Sequence, residues 1–220
     1  MGPHRSARRL LAGAVATLSI PSVGACLDGS VNPPPNVATP GTYRLPPAYR
    51  DRDPASGPAP GGPDANAAVA RAEQWVGAKL RYCQAPNHGH DRDSFCPSTC
   101  SRQDNSLWDP YRTDCAGLLS WAWELPPPGR TTLGFAPFKS DISVVIDAMD
   151  LQPGDALNSE THSLLFKQWL APGRSAVFID EPGCDSPTPY AREFTSDVRI
   201  AACTVKLRGR VPFTAIRHLR

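Results

Sequence analysis

The chain carries almost no net charge, which gives a first limit on its partners. Its 23 lysines and arginines nearly balance 21 aspartates and glutamates, leaving a net charge of +2 over 220 residues. This balance gives no reason to expect a nucleic-acid partner. The sequence also lacks internal repeats and glycine-rich phosphate loops, which argues against a nucleotide enzyme. We therefore predict neither a cofactor nor a nucleic-acid partner.

A membrane-spanning run is missing at the N-terminus as well. The apolar stretch Leu10 to Val23 follows four basic residues and is too short to cross a bilayer. Val23-Gly24-Ala25-Cys26 then resembles a bacterial lipobox, in which the cysteine is lipidated. We predict a lipoprotein signal peptide over 1–25 and a membrane anchor at Cys26. The alternative is an ordinary signal peptide cut near Ala25, which would give a secreted protein.

A proline-rich segment follows the predicted anchor. Residues 27–66 hold ten of the 25 prolines and show almost no apolar periodicity. Such a segment cannot bury enough apolar surface to offset the entropy lost on ordering. We predict a disordered tether over 26–66 and one folded domain over 67–220, exported towards the periplasm or cell wall.

The seven cysteines indicate disulfides, because an exported chain meets an oxidising compartment. We expect Cys184 to pair with Cys203, and Cys83 to pair with either Cys96 or Cys100. The insert from Cys83 to Cys100 also contains two histidines and admits a zinc site as an alternative. Its spacing fits no common zinc motif, so we predict no metal.

The segment Asp114-Cys115-Ala116-Gly117-Leu118 is the strongest candidate for a catalytic site. A cysteine at a helix start feels the positive end of the helix dipole, which favours the thiolate and predicts a pKa below about 8.5. His162 opens a strand-like run further along the chain, and Asp180 and Glu181 end the next one. Cysteine, histidine and acid in this order predict a cysteine hydrolase.

These residues resemble the NlpC-type cell-wall peptidases, a papain-like branch. The resemblance covers about residues 66–217 and rests on Tyr82 after a helix-like segment, Asp114 to Leu119, the turn Leu151-Gln152-Pro153-Gly154-Asp155, and His162. Two features depart from the family pattern. Ala116 replaces the usual serine, and the Cys/His-rich insert replaces a Gly-Gly pair.

The predicted fold class is α+β, papain-like, with N-terminal helices packed on an antiparallel sheet and the nucleophile at a helix start. Helices are expected over Ala67–Leu80, about 115–124, and Ile142–Met149, the last capped by Ser140 or Asp141. Strands are expected over five segments: Ala156–Leu157, Ser163–Leu170, Ser175–Ile179, Val198–Leu207 and Phe213–Arg217.

The predicted roles follow from this alignment. Cys115 is the nucleophile, His162 the base, and Asp180 the residue that orients the imidazole, with Glu181 next in line because neighbouring strand residues face opposite sides. Tyr82 is a candidate oxyanion donor. Asp114 is either part of the substrate site or the cap of the helix.

The resemblance implies cleavage of a peptide or isopeptide bond in peptidoglycan, so that peptidoglycan peptides and the membrane are the expected partners. Two alternatives stay open. The first is an inactive papain-like module that binds wall peptides or a partner protein. The second is a related amidase or acyltransferase acting on another substrate.

Overall fold

The computed structural model describes residues 65–84 and 105–219. Several predictions fall outside these residues: the signal peptide, the lipid anchor at Cys26, most of the proline-rich tether, and the insert with Cys96 and Cys100. Within the described ranges, no helix combines the length and apolar character needed to cross a membrane.

Two α-helices lie in the described part of the chain. Helix α1 spans Ala65–Ala78, and helix α2 spans Cys115–Ala122. Helix α1 is rich in alanine, the strongest helix former, and buries Ala68, Ala72 and Trp75, which share one face at helical spacing. Both helices begin close to where the apolar periodicity predicts.

Seven β-strands follow the helices, and all their pairings are antiparallel. Their order across the sheet is β1-β7-β2-β3-β4-β5-β6, and β6 also pairs with β7. Six strands therefore close on themselves, while β1 pairs with the C-terminal part of β7. The strands are β1 Ser143–Val145, β2 Ala156–Asn158, β3 Ser163–Ala171, β4 Ser175–Asp180, β5 Arg192–Ala201, β6 Thr204–Leu207 and β7 Phe213–His218.

The predicted papain-like α+β fold is wrong. The described chain is mostly a closed six-stranded antiparallel barrel with two short helices, rather than a helical layer on an open sheet. Closure depends on β7, which pairs Ile216 with Ala156 of β2 and Phe213 with Val205 of β6. The pairing of β7 with β2 joins residues 60 positions apart in sequence, so local patterns do not reveal the closure.

The predicted helix over Ile142–Met149 is also wrong. Ser143–Val145 form strand β1, which pairs Val144 with Arg217, and only Ala148–Asp150 form a short 3₁₀-helix. The β-branched residues of this segment favour an extended backbone, and β7 offers them a partner strand.

The predicted disulfide between Cys184 and Cys203 is wrong as well. Cys203 is buried as a free thiol, whereas Cys83 and Cys184 are both disulfide-bonded. Cys184 precedes β5 and Cys203 follows it. Strand β5 has ten residues and separates its own ends by roughly 30 Å. The loop 184–191 would have to fold back along the strand to bring the two cysteines within the roughly 7 Å between Cα atoms that a disulfide needs.

Two apolar clusters hold the fold together. One fills the barrel with side chains from its strands, among them Phe166, Phe178 and Phe213. The other packs α1 and α2 against the outer face through Leu165 and Ile179. Neighbouring residues of β3 and β4 thus alternate between the barrel interior and the helices, as the two-residue period of a strand requires.

Candidate active site

Cys115 is the first residue of α2, and Asp114 caps that helix. An oxygen of Asp114 accepts the N–H of Gly117 at 2.7 Å, and its backbone has the extended conformation of a cap. Arg112 lies 3.6 Å from the other oxygen of the same carboxylate. Asp114 therefore has a structural role at the helix start, one of the two roles that the sequence left open.

His162 lies in the tight connection between β2 and β3. Ser159 fixes that connection by accepting the N–H of His162 at 3.1 Å and donating to its carbonyl at 3.0 Å. The buried Asn158 accepts from the Ser163 hydroxyl at 2.7 Å and donates to the carbonyls of Thr132 and Ala136. The backbone that presents the imidazole is thus held from both sides.

Asp180 is the last residue of β4 and contacts His162. The register pairs Leu165 with Ile179. Asp180 lies one residue after Ile179, so its side chain faces away from the helices and towards the interior. The structure brings His162 Nε2 and Asp180 Oδ2 to 3.4 Å. Glu181, also fully buried, points to the other face.

Two arginines hold the Asp180 carboxylate together with His162. Arg192 Nε donates to Oδ1 at 2.9 Å, and Arg210 Nη2 donates to Oδ2 at 3.1 Å. Burial raises the pKa of Asp180, but the hydrogen bonds and charges of His162 and Arg192 outweigh burial, so the pKa lies below its ordinary value. Asp180 is therefore an ionised carboxylate inside the fold.

The Cys115 thiol lies beside the backbone that follows His162. The Ser163 and Ala116 backbones form hydrogen bonds to the thiol group. In the described part of the chain, the thiol contacts the backbone of Ser163, and no hydrogen bond joins it to the His162 ring.

The pKa of Cys115 departs from the sequence-based expectation. Burial, and next the negative charge of Asp114, raise the pKa of Cys115 to about 12. The thiol is only 8% exposed, and loss of hydration outweighs the favourable N–H groups at the helix start. The resting group is consequently a neutral thiol, and the prediction of a lowered pKa is not met.

Tyr82 lies in a short extended segment beside the residues that precede α2. Its neighbour Cys83 exchanges backbone hydrogen bonds with Thr113, two residues before Cys115. The Tyr82 hydroxyl accepts from the Gln84 side chain at 2.8 Å. An oxyanion role for Tyr82 stays a prediction.

The turn that carries Pro153-Gly154-Asp155 is structural. Asp155 accepts the N–H of Gln152 at 2.8 Å and pairs with Arg217 through both carboxylate oxygens. Gly154 has a φ of +87°, a value that favours glycine, and its carbonyl accepts the indole N–H of Trp123. This turn ties the end of α2 to β7.

Sequence reasoning missed three residues of this site: Asn158, Arg192 and Arg210. Asn158 directly follows the predicted strand Ala156–Leu157 and lies four residues before His162, which was an available signal. The arginines carry no local signal, because their role depends on the pairing of β4 with β5 and on the loop after β6.

Among the described residues, no group of three or more His, Cys, Asp or Glu side chains is placed to hold a metal ion. The alternative zinc site lies in the insert outside those residues. Comparisons with protein-family models, curated proteins and solved structures give no significant match.

Proposed function

We propose that the chain is a cysteine hydrolase that cleaves a peptide or isopeptide bond through Cys115, His162 and Asp180. One observation carries this proposal. His162 Nε2 lies 3.4 Å from the buried Asp180 carboxylate, and the next residue, Ser163, contacts a helix-start thiol that is in no disulfide. Because Nε2 faces Asp180, Nδ1 is the ring atom that can take the thiol proton.

The reaction begins with a neutral thiol. Cys115 Sγ bonds to the substrate carbonyl carbon while its proton moves to His162 Nδ1. The carbonyl π electrons move to the oxygen, and the backbone N–H of Cys115, at the open end of α2, can bind this oxyanion. Asp180 keeps its charge throughout and stabilises the imidazolium.

Collapse of the intermediate breaks the C–N bond. The imidazolium returns its proton to the leaving amine, and a thioester to Cys115 remains. Water then attacks the thioester with His162 as base. This second step releases a carboxylic acid and restores the thiol.

The substrate proposed is a peptide of peptidoglycan, supported by the motif resemblance to NlpC-type peptidases. An exported, lipid-anchored chain with a proline-rich tether fits a polymeric wall substrate. Intact mass and N-terminal sequencing of the mature protein test the anchor: acylation at Cys26 is expected, and an unmodified Cys26 would leave a secreted enzyme.

The test of activity uses the full chain and peptidoglycan-derived peptides, with new amino groups and product masses as the readout. Cys115→Ala and His162→Ala should lower turnover by at least roughly 10³-fold. Cys203→Ala is the matched control, because Cys203 is the other free, buried cysteine in the described residues. It should retain turnover. Equal turnover in Cys115→Ala and Cys203→Ala would exclude the proposed nucleophile.

A second candidate function is a binding module without turnover, favoured by the burial and raised pKa of Cys115. This hypothesis predicts that wild-type protein binds wall peptides without cleaving them. It also predicts that Cys115→Ala binds them with unchanged affinity. Calorimetric titration with the same peptides separates this function from hydrolysis.

A further inference from the structure

The environment of Asp180 is more elaborate than the one that a carboxylate needs merely to orient an imidazole. Its carboxylate is fully buried and contacts three cationic or ionisable side chains from three parts of the chain. His162 approaches from the turn before β3, Arg192 from β5, and Arg210 from the loop after β6.

Each arginine binds a different oxygen of the Asp180 carboxylate. Arg192 occupies Oδ1, and Arg210 occupies Oδ2, the oxygen that faces His162 Nε2. With both oxygens held, the plane of the carboxylate is fixed. Rotation about its side-chain bonds would break at least one charge-assisted hydrogen bond.

Further contacts hold the arginines themselves. Both guanidinium groups lie over the ring of Phe194, Arg210 at 4.8 Å and Arg192 at 5.6 Å from its centroid. Arg192 also donates to the hydroxyl of Thr188 at 3.3 Å. Arg192 lies directly opposite Asp180 in the β4–β5 register, so the sheet itself brings these two residues together.

We propose that Arg192 and Arg210 are positioning residues, which hold Asp180 charged and oriented so that it fixes the His162 ring. This inference rests on the proposed hydrolase function for its kinetic consequence, but not for its structural one. It explains how a carboxylate inside the barrel stays ionised. It also assigns a role to two residues that belong to no recognised motif.

The titratable and charged groups around Asp180 are His162, Arg192 and Arg210, and the charge of Asp180 also acts on Cys115 of α2. Loss of either arginine removes a positive charge that favours the carboxylate, so Asp180 should take up a proton at higher pH. It also frees one carboxylate oxygen, so the His162 ring is held less well.

The experiment compares Arg192→Gln and Arg210→Gln with Arg208→Gln in the full chain. Arg208 is the control because it is exposed and lies on the same loop as Arg210. The first readout is the ¹³C resonance of the Asp180 carboxyl during an acid titration, which needs no turnover. We expect its midpoint to move to higher pH in both site variants and to stay at the wild-type value in Arg208→Gln.

The second readout is kinetic. We expect kcat to fall by roughly 10-fold to 100-fold in each site variant with little change in KM, because misplacement of a catalytic group affects the chemical step. Arg210→Lys should restore part of kcat, since Arg210 uses a single nitrogen at Asp180. Arg210→Lys also keeps the positive charge, so it still tests the role of Arg210 if Arg210→Gln folds poorly.

Two outcomes would overturn the inference. One is an Asp180 titration midpoint that is the same in both site variants as in Arg208→Gln. The other is a rise in KM at constant kcat, which would make the arginines direct substrate ligands. If wild-type protein shows no hydrolysis, the proposed function fails, and the titration alone then decides the role of the arginines.

Discussion

Gly117 lies against the backbone carbonyl of Arg112: a Cβ atom at Gly117 would be 1.9 Å from that oxygen. The chain entering α2 therefore folds back onto the first turn of the helix. The same approach lets Asp114 accept the N–H of Gly117 and sets the position of Cys115. The close contact thus explains the glycine of the Asp-Cys-Ala-Gly motif on steric grounds that are independent of catalysis.

Gly117→Ala should destabilise the fold, because backbone atoms rather than a flexible side chain occupy the space. We expect the free energy of unfolding to fall by about 1–3 kcal/mol, measured by denaturant titration. Gly77→Ala in α1 is the control, since nothing lies within 4 Å of its Cβ position. It should raise stability by up to about 1 kcal/mol. Equal effects of the two substitutions would contradict the steric argument.

Asn158→Ala should loosen the connection that carries His162. The change removes the partner of the Ser163 hydroxyl and the donor to two carbonyls. We expect a loss of about 2–3 kcal/mol in the free energy of unfolding, because buried polar groups are left without partners. Asn105→Ala, at an exposed turn, should change stability by less than about 0.5 kcal/mol. A small effect at Asn158 would indicate that water replaces the amide.

Much of the local structure could be predicted from the sequence. Helices α1 and α2 and strands β2, β3, β4 and β7 lie close to their predicted ranges, because their apolar residues follow a clear period. The single strand predicted over Val198–Leu207 is wrong, because a turn separates the end of β5 from β6 there. The first half of β5 was missed, since Glu193, Thr195 and Asp197 are exposed and give the segment a polar sequence.

The closed sheet and the full environment of Asp180 could not be predicted in this way. Both depend on which strands pair, and that choice is made between residues distant in sequence. The Asp180–Arg192 contact, for instance, requires the register of β4 with β5, and Arg210 reaches Asp180 from a loop 30 residues away. Burial, likewise invisible locally, reverses the pKa expected for Cys115.

The alkylation rate of Cys115 should follow its raised pKa. Since burial raises the pKa of Cys115 to about 12, the thiolate fraction grows roughly tenfold per pH unit between pH 7 and 10. The rate, measured by mass spectrometry with iodoacetamide, should rise without a plateau in that range. A thiol of ordinary pKa, about 8.5, would level off near pH 9.5. A plateau below pH 8 would instead indicate a thiolate–imidazolium pair in the resting protein.

Asp180→Asn should lower turnover far more than Glu181→Gln. The amide keeps the shape of the carboxylate but loses the charge that stabilises the imidazolium and pairs with Arg192 and Arg210, so we expect kcat to fall by roughly 10²-fold to 10⁴-fold. Glu181 is equally buried but faces away from His162, so its neutral variant should leave kcat within about tenfold. Circular dichroism of both variants separates loss of folding from loss of chemistry. If Glu181→Gln were the more damaging change in a folded protein, the orienting acid would lie on the other face, and Asp180 would be a structural ion-pair residue.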